Sequence, residues 1–279
     1  MRVSRRALLQ AIVGSGVGLV SGSVAHGYLY ARRALTLTER DVVVNGLSPA
    51  LSGVRIGLLT DIHRSRWVSH GDVAAAVELV MRSRPDIIVL GGDYVTWGDR
   101  DYVSRAAESL AGLEAPSGVF AILGNHDDDH DMPAALTARG IEVLRDARTR
   151  LKIRQESLEL AGIRFWTRRP ADIASVMRGA SGTTLLLAHD PRRVGDAAAL
   201  GVPLVLSGHT HGGQVVLPGL GAIAAQKFPV VAGVARQGGT TLFVSRGVGT
   251  VYVPVRINCP PEVAILTLRP DAELQKRST

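Results

Sequence analysis

Residues 205–214 decide the fold: they read Val-Leu-Ser-Gly-His-Thr-His-Gly-Gly-Gln and begin at the end of the apolar run 202–206. An apolar run of this length, followed by glycine, is typical of a buried strand. Side chains of an extended chain alternate between its two sides, so His209 and His211 point to the same side. The stretch therefore predicts a strand whose carboxyl end presents two imidazoles together.

Four earlier apolar runs, 55–59, 87–90, 119–123 and 184–188, end in the same manner. The polar residues that follow them are Asp61-Ile62-His63, Gly91-Gly92-Asp93, Gly124-Asn125-His126-Asp127 and His189-Asp190. The carboxyl ends of strands in open α/β sheets converge on one crevice. We therefore expect these residues to meet at a shared site, where Gly92, Gly124 and Gly208 let the backbone turn and a metal or phosphate approach.

Helical patterns lie between these runs, at about 72–84, 101–113, 132–139 and 172–178. Asp72 is expected to cap the first of them, and Pro85 to end it. Alternation of strands and helices predicts an α/β sandwich with buried strands. Further strands are expected at 240–245 and 263–268, and an edge strand at Val42–Val44.

The first residues have the pattern of an export signal. Arg5-Arg6 precedes an uncharged stretch that ends in the small residues Ser23-Val24-Ala25, as in twin-arginine signals. We expect transport by the twin-arginine translocase and an extracytoplasmic location. The stretch is also close to the length that spans a bilayer, so cleavage and retention as an anchor, with membrane association, both stay open. The expected organisation is signal or anchor 1–27, linker and edge strand 28–46, and catalytic domain 47–279.

Composition narrows the classes of function. The chain is 46% hydrophobic and 20% charged, which indicates a folded domain and excludes a disordered one. Its net charge of +7 comes from scattered arginines, with no aromatic stripe for stacking bases, so a nucleic acid partner is disfavoured. The single cysteine, Cys259, excludes both an intramolecular disulfide and a cysteine metal cluster.

A metal site in this chain must therefore use nitrogen and oxygen donors, which suit Mn, Fe, Zn or similar divalent ions. The candidates are more numerous than one ion can use, which favours two divalent metal ions. They are Asp61, His63, Asp93, Asn125, His189, His209 and His211.

The order Asp-x-His, Gly-Asp, Gly-Asn-His-Asp, His and Gly-His-x-His resembles the calcineurin-like metallophosphoesterase superfamily over roughly residues 40 to 268. The longer motif 208–214, with 245–250 and Pro261-Glu262, resembles its exported bacterial branch close to the YkuE and YaeI phosphoesterases. The resemblance implies a four-layer α/β/β/α sandwich with mixed sheets.

The same resemblance implies a role for each candidate. One metal would be held by Asp61, His63 and His211, the other by Asn125, His189 and His209, with Asp93 bridging both. His126 would be the outer-sphere acid or phosphate contact, and Asp127 would orient its imidazole.

The chain departs from the branch in two places. Arg64 stands where a small or apolar residue is common, and it either reaches the substrate phosphate or points to water. The stretch 161–169 lacks the acidic pair often found there, which puts the substrate loop in doubt.

Two adjacent cations favour ionisation of a bridging water, so we expect a metal-bridging hydroxide to hydrolyse a phosphate ester or pyrophosphate. The substrate would be a phosphorylated small molecule or lipid. A cyclic-nucleotide phosphodiesterase, a nuclease and a non-catalytic metal-binding scaffold remain alternatives. A purple acid phosphatase is disfavoured, because Thr96 occupies the position of its tyrosine ligand and Tyr94 has the wrong parity.

Overall fold

The computed structural model describes residues 5–97 and 99–271. The first four residues of the expected signal or anchor, and residues 272–279 of the expected catalytic domain, lie outside this range. The described helices are α1 Arg5–Leu29, α2 His70–Arg82, α3 Val103–Ser109, α4 Asp131–Thr137, α5 Pro170–Met177 and α6 Val194–Ala199. The described strands are β1 Thr36–Val44, β2 Arg55–Leu59, β3 Ile87–Leu90, β4 Val119–Ala121, β5 Glu142–Val143, β6 Ala147–Ile153, β7 Glu156–Ile163, β8 Thr183–Ala188, β9 Leu204–Ser207, β10 Gly233–Gln237, β11 Thr240–Val244 and β12 Glu262–Pro270.

The strands form two six-stranded sheets, in the orders β1-β12-β2-β3-β4-β5 and β10-β11-β9-β8-β7-β6. Both sheets are mixed. In the first, β2 to β5 run parallel and β12 runs antiparallel to β2. In the second, β7, β8, β9 and β11 run parallel, whereas β6 and β10 are antiparallel to their neighbours. The predicted mixed sheets are confirmed.

Alternating side chains divide the core into layers. In β8, Leu185 and Leu187 join the central cluster between the two sheets, whereas Leu186 and Ala188 face the cluster that packs against α5 and α6. A third cluster lies between the first sheet and the helices α2, α3 and α4. Strands buried on both faces need apolar residues at every position, which is why the strands read as continuous apolar runs. The four-layer α/β/β/α sandwich is thereby confirmed.

The start of α2 differs from the prediction. Ser69, and not Asp72, is the N-cap: its hydroxyl accepts from the backbone N–H of Asp72, whose carboxylate in turn accepts from the N–H of Ser69. This reciprocal arrangement is a capping box, in which the acidic residue stands three positions after the cap. The helix therefore begins before the predicted boundary, at His70, and it ends at Arg82, ahead of Pro85.

The N-terminal helix α1 precedes the sandwich. Its residues before Ser23 are exposed wherever their side chains are described, whereas Gly27 packs closely against the backbone of Arg256. Among the described residues, no helix combines the length and the apolar character needed to cross a membrane. After α1 the chain enters β1, which pairs in parallel with β12 at the edge of the first sheet.

Candidate metal centre

The site forms where the carboxyl ends of both sheets meet. Asp61 and Asp93 follow β2 and β3 of the first sheet, and His189 and His209 follow β8 and β9 of the second. The two sheets are joined here by hydrogen bonds, because the backbone N–H of His209 donates to Oδ1 of Asp61 over 3.0 Å. The shared site expected from the strand ends is what the structure contains.

A first group of potential ligands consists of Asp61, His63 and His211, whose donor atoms lie within 4.8 Å of one another. All three side chains are buried. The Nε2 atoms of His63 and His211 are 3.1 Å apart, and Nε2 of His211 is 3.3 Å from Oδ1 of Asp61. One nitrogen from each ring and one carboxylate oxygen therefore point at a common space.

A second group consists of Asp93, His189 and His209, with donor atoms again within 4.8 Å of one another. The two groups meet at Oδ2 of Asp93. This oxygen lies 3.1 Å from Nε2 of His189 and 3.6 Å from Nε2 of His63, one histidine from each group.

Asn125 adds an oxygen to this region. Its Oδ1 is buried and has no hydrogen-bond partner. Nε2 of His189 is also buried, and its closest carboxylate is that of Asp93. A buried carbonyl oxygen left unsatisfied is costly in a folded protein, about 1–3 kcal/mol, and calls for an explanation. A bound divalent cation that accepts both atoms as ligands would supply one.

The backbone of the ligand residues is strained. Asp61, His63, Asp93, His209 and His211 have φ between 47° and 71°, in the left-handed region. This region costs an L-residue about 1–2 kcal/mol. Such strain at five residues of one cluster indicates that the placement of their side chains, and not local stability, determines the backbone here.

Two glycines allow the loops to approach the carboxylates. A Cβ atom at Gly124 would overlap the carboxylate of Asp93, and one at Gly208 would overlap the side chains of Thr60 and Asp61. Any larger residue would displace a potential ligand. The glycines expected to admit a metal or phosphate thus make room for the ligands themselves.

Burial and mutual charge shift the acids in opposite directions. Burial raises the pKa of Asp61 to about 6, against the opposing charge of His189. Burial also disfavours ionised Asp93, but the charge and hydrogen bond of His189 outweigh it and lower the pKa of Asp93. Burial opposes the charging of His189 as well, yet Asp93 and Asp61 raise its pKa to about 10. Without a metal, His189 is therefore the cation that balances Asp93.

The remaining imidazoles of the two groups, those of His63, His209 and His211, are neutral at physiological pH. Burial lowers the pKa of His63 to about 3, and burial together with the charge of His189 lowers the pKa of His209 to about 4. Burial and the charge of His63 hold the pKa of His211 well below its ordinary value. Neutral imidazoles have a free lone pair, which is the form that binds metals.

A backbone carbonyl sets the tautomer of His189. Nδ1 of this ring lies 2.7 Å from the carbonyl oxygen of Gly91, so it carries a proton and donates. The lone pair of neutral His189 is then on Nε2, the atom that faces Asp93. Metal-binding histidines use such a carbonyl contact to fix ring orientation. The donor set, with nitrogen and oxygen but no sulfur, fits divalent ions such as Mn, Fe or Zn.

His126 lies beside the ligands without joining either group. Its ring is 5.0 Å from that of His63, and its Nδ1 accepts a hydrogen bond from the backbone N–H of Trp97. Burial, with the charge of His189, lowers the pKa of His126 against the attraction of Asp93. The ring lines a cavity of about 550 Å³ together with Asn125 and His209.

The expected role of Asp127 needs correction. Its carboxylate does not orient the imidazole of His126, because it accepts from the backbone N–H groups of Asp93, Tyr94 and Gly124 at 2.7, 2.8 and 2.9 Å. These three donors occupy both oxygens. Asp127 therefore holds the loops after β3 and β4 together, and the N–H of Trp97 orients His126 instead.

Arg64 does not line either of the cavities described at the site. Its Nη1 donates to the carbonyl oxygens of Ser65 and Val68, and its guanidinium lies over the ring of Tyr102. The guanidinium is thus engaged by backbone carbonyl oxygens and an aromatic ring, and does not simply point to water.

Neither Tyr94 nor Thr96 provides the tyrosine ligand of a purple acid phosphatase. The Tyr94 hydroxyl is buried and donates to the carbonyl oxygen of Ile122, so it is not a ligand. The Thr96 hydroxyl is 3.3 Å from Nδ1 of His63, behind the ring nitrogen that faces the site.

Sequence patterns missed most of the cavity wall. Phe165, Trp166, Arg168, Arg192, Lys227 and Tyr252 line the same cavity as His126. The stretch 161–169, which lacks the acidic pair common in the branch, supplies three of these residues. Arg192 stands three residues after His189, whereas Lys227 and Tyr252 follow no apolar run that ends in a ligand motif, so no local signal marks these two.

Known proteins resemble this chain in sequence and fold. A model of the calcineurin-like phosphoesterase family matches residues 54–213. The chain is 30% identical over 284 residues to the metallophosphoesterase YkuE of Bacillus subtilis, covering 96% of this chain and 98% of YkuE. It is 34% identical over 227 residues to the phosphodiesterase YaeI of Escherichia coli, covering 77% of this chain and 82% of YaeI.

A solved structure gives a likeness of fold alone. The NAD nucleotidase NadN of Haemophilus influenzae superposes with a TM-score of 0.51 at 11% identity, covering 70% of this chain and 50% of that one.

Proposed function

Because this chain belongs to the calcineurin-like phosphoesterase family and is a metal-dependent phosphoesterase, we propose that it hydrolyses a phosphate ester or pyrophosphate at the two ligand groups joined by Asp93. The family uses a dinuclear divalent metal centre. The observation that carries the proposal is the position of Asp93 Oδ2, within 3.6 Å of one histidine from each group.

The geometry supports the ligand assignment expected from the sequence. Asp61, His63 and His211 would hold one ion, and Asn125, His189 and His209 the other, with Asp93 between them. When bound, two divalent ions supply a Lewis-acid clamp on phosphoryl oxygens and activate water as the nucleophile.

His126 is the group that we propose stabilises charge on a substrate oxygen. Since Nδ1 accepts from Trp97 N–H, the proton of the neutral ring is on Nε2. From Nε2, His126 can donate a hydrogen bond to a substrate oxygen and stabilise the negative charge that develops on the departing alkoxide. A lone scaffold for metal binding would have no use for this oriented donor, which favours the enzyme over the scaffold.

A nuclease or cyclic-nucleotide phosphodiesterase would use the same ligands. The phosphodiesterase relative YaeI supports phosphodiesters as the bond type, so diesters are the first substrates to test. The purified chain is assayed with bis-p-nitrophenyl phosphate, with and without Mn²⁺ and a chelator. We expect turnover that chelation removes and added Mn²⁺ restores. Metal binding without hydrolysis of any ester or pyrophosphate would support the scaffold instead.

We also propose that the chain acts outside the cytoplasm. The support is Arg5-Arg6 ahead of an uncharged stretch, now described as part of the exposed helix α1. Replacing both arginines by lysine, with Arg32→Lys and Arg33→Lys as the matched control, should retain the enzyme in the cytoplasm. Unchanged export would contradict the twin-arginine route.

A lipid substrate and membrane association stay predictions of the sequence. Several apolar side chains of α1 are exposed, including Val13, Val17 and Leu19, which is the feature that supports them. Cosedimentation of the full chain with anionic phospholipid vesicles tests the association. Loss of binding on deletion of residues 1–27 is expected, and no binding by the full chain would remove this proposal.

A further inference from the structure

The wall of the cavity that His126 lines carries an excess of positively charged side chains. Beside the ligands Asn125 and His209, the cavity of about 550 Å³ is lined by three cations, Arg168, Arg192 and Lys227. No acidic side chain is among its lining residues in the described part of the chain. A substrate phosphoryl group placed at the ligands would therefore have positive charge on one side.

The three cations are not equivalent. Arg192 is neutralised, since its guanidinium makes two close contacts with the carboxylate of Asp190, at 2.9 Å from Nε and 2.6 Å from Nη2. For Arg168 and Lys227, no ion pair with a described carboxylate is found. Two positive charges therefore remain uncompensated by the protein.

Aromatic rings hold these two cations in place. The guanidinium of Arg168 lies over the rings of Phe165 and Trp166, 5.2 and 4.8 Å from their centroids. Nζ of Lys227 lies 5.3 Å from the ring centroid of Phe228. Such contacts orient a cation without neutralising it, so its charge stays available to a ligand.

The neighbouring cavity offers no unpaired cation among its described lining residues. This second cavity, of about 340 Å³, is lined by Asp128 and Asp129, which pair with Arg100 and Arg164, and Arg100 also pairs with Asp131. An anionic arm of a substrate is therefore attracted to the side of Arg168 and Lys227, where the positive charge is not compensated. The asymmetry gives the bound substrate one orientation.

We propose that Arg168 and Lys227 form a subsite for a second phosphate group, carried by the substrate in addition to the phosphoryl group that is hydrolysed. This inference rests on the proposed function, because the subsite is defined by its position next to the ligand groups. A planar guanidinium matches phosphate oxygens in two-point contacts, and an ammonium adds a compact charge. The substrates selected are phosphodiesters that bear a further phosphate on one arm.

A matched pair of probes tests the subsite. Thymidine 5′-(p-nitrophenyl phosphate) and its 3′-phosphorylated form release the same p-nitrophenolate and differ in one phosphate group. With Mn²⁺ we expect the 3′-phosphorylated probe to have a KM about tenfold lower, corresponding to about 1.4 kcal/mol. Calorimetry with thymidine 3′,5′-bisphosphate and thymidine 5′-monophosphate provides the same comparison without turnover.

Substitutions test whether Arg168 and Lys227 cause the preference for the 3′-phosphorylated probe. Arg168→Gln and Lys227→Gln should each reduce the ratio of the two KM values, and the double variant should bring it close to one. Arg139→Gln removes an exposed arginine that lines neither cavity, and should leave the ratio unchanged. A loss of preference in Arg139→Gln as large as in Arg168→Gln would overturn the subsite, since net charge would then explain it.

The same assays distinguish failure of the subsite from failure of the proposed function. Hydrolysis of both probes with equal KM by the unsubstituted enzyme overturns the subsite and leaves the phosphoesterase intact. Absence of hydrolysis of both probes and of bis-p-nitrophenyl phosphate by the metal-loaded protein overturns the proposed function, and the subsite with it.

Discussion

The backbone N–H of Trp97 donates a hydrogen bond to Nδ1 of His126 across 2.9 Å. The donor follows β3 and the acceptor follows β4, so the contact joins two ligand loops. It also decides which nitrogen of the neutral ring is protonated, because an accepting Nδ1 leaves the hydrogen on Nε2. The chemistry proposed for His126 depends on this arrangement.

His126→Ala should retain both metals and lose rate, because the ring belongs to neither ligand group. The loss expected for a hydrogen-bond donor to developing charge is about 10²–10³-fold. It should be larger for a methyl ester than for a p-nitrophenyl ester, whose leaving oxygen carries less localised charge. Equal losses for both esters would exclude hydrogen bonding to the leaving oxygen as the role, and loss of metal, measured by elemental analysis, would make His126 a ligand.

Asp93→Ala and His209→Ala should both lose metal and turnover. Asp93 contacts one histidine of each group, so its removal should affect both ions, whereas His209→Ala should weaken one group. His130→Ala is the matched control, since His130 is 94% exposed and belongs to neither group. Elemental analysis of purified proteins with a parallel diesterase assay gives the answer. Full metal content in Asp93→Ala would contradict the shared position.

Metal binding should release a proton from His189. Asp93 and Asp61 raise the pKa of His189 to about 10 without metal, so at pH 7 its Nε2 is protonated and an incoming ion must displace that proton. Metal affinity should therefore rise with pH up to about 10. Calorimetry in buffers of different ionisation enthalpy measures the release. Binding with no proton exchange at pH 7 would contradict it.

The same shift has a consequence for the metal-free protein. A histidine whose pKa is raised on folding stabilises the native state fully below the unfolded value, near 6.5, and loses that contribution as pH rises through about 10. Raising the pH from about 6.5 to about 10 should therefore reduce the contribution of His189 to the free energy of unfolding of the metal-free protein. Titration of urea midpoints over this range checks it.

Asp127→Asn should destabilise the protein without removing the metals. The substitution leaves one acceptor oxygen for three backbone N–H groups and places an NH₂ donor against at least one of them. An unsatisfied buried donor costs about 1–3 kcal/mol, so urea unfolding should shift by that amount. Asp172→Asn, at an exposed acid that pairs with Arg169, is the control. A shift no larger than in the control would show that the carboxylate is dispensable.

Arg256 offers a test of the loops after β11. Its side chain is fully buried, and its guanidinium donates to the carbonyl oxygens of Gly249, Arg246, Gly247 and Cys259. Arg256→Lys keeps the charge but has too few donors, which leaves at least one buried carbonyl oxygen unsatisfied, so we expect a loss of about 1–3 kcal/mol. The exposed substitution Arg40→Lys should change the unfolding midpoint little. Equal midpoints for both variants would contradict the prediction.

The alternation of apolar runs and helical patterns determined the α/β architecture, and the residues after each run identified the potential ligands. Both are local properties: burial on two faces demands a continuous apolar run, and a ligand must follow the strand that positions it. Strand β6 has no such run, so the sequence pattern does not predict it. Ala147–Ile153 is exposed or half-buried at five of its seven positions, so it has no continuous apolar run.

Tertiary structure alone decided the contacts between distant residues. Nothing near His126 in the sequence marks Trp97 as its partner, and nothing near Asp127 shows that its oxygens are occupied by the loop after β3. The cations Arg168 and Lys227 reach one cavity from separate loops. A sequence specifies which side chains a segment presents, but their hydrogen-bond partners and combined charge depend on how the two sheets pack.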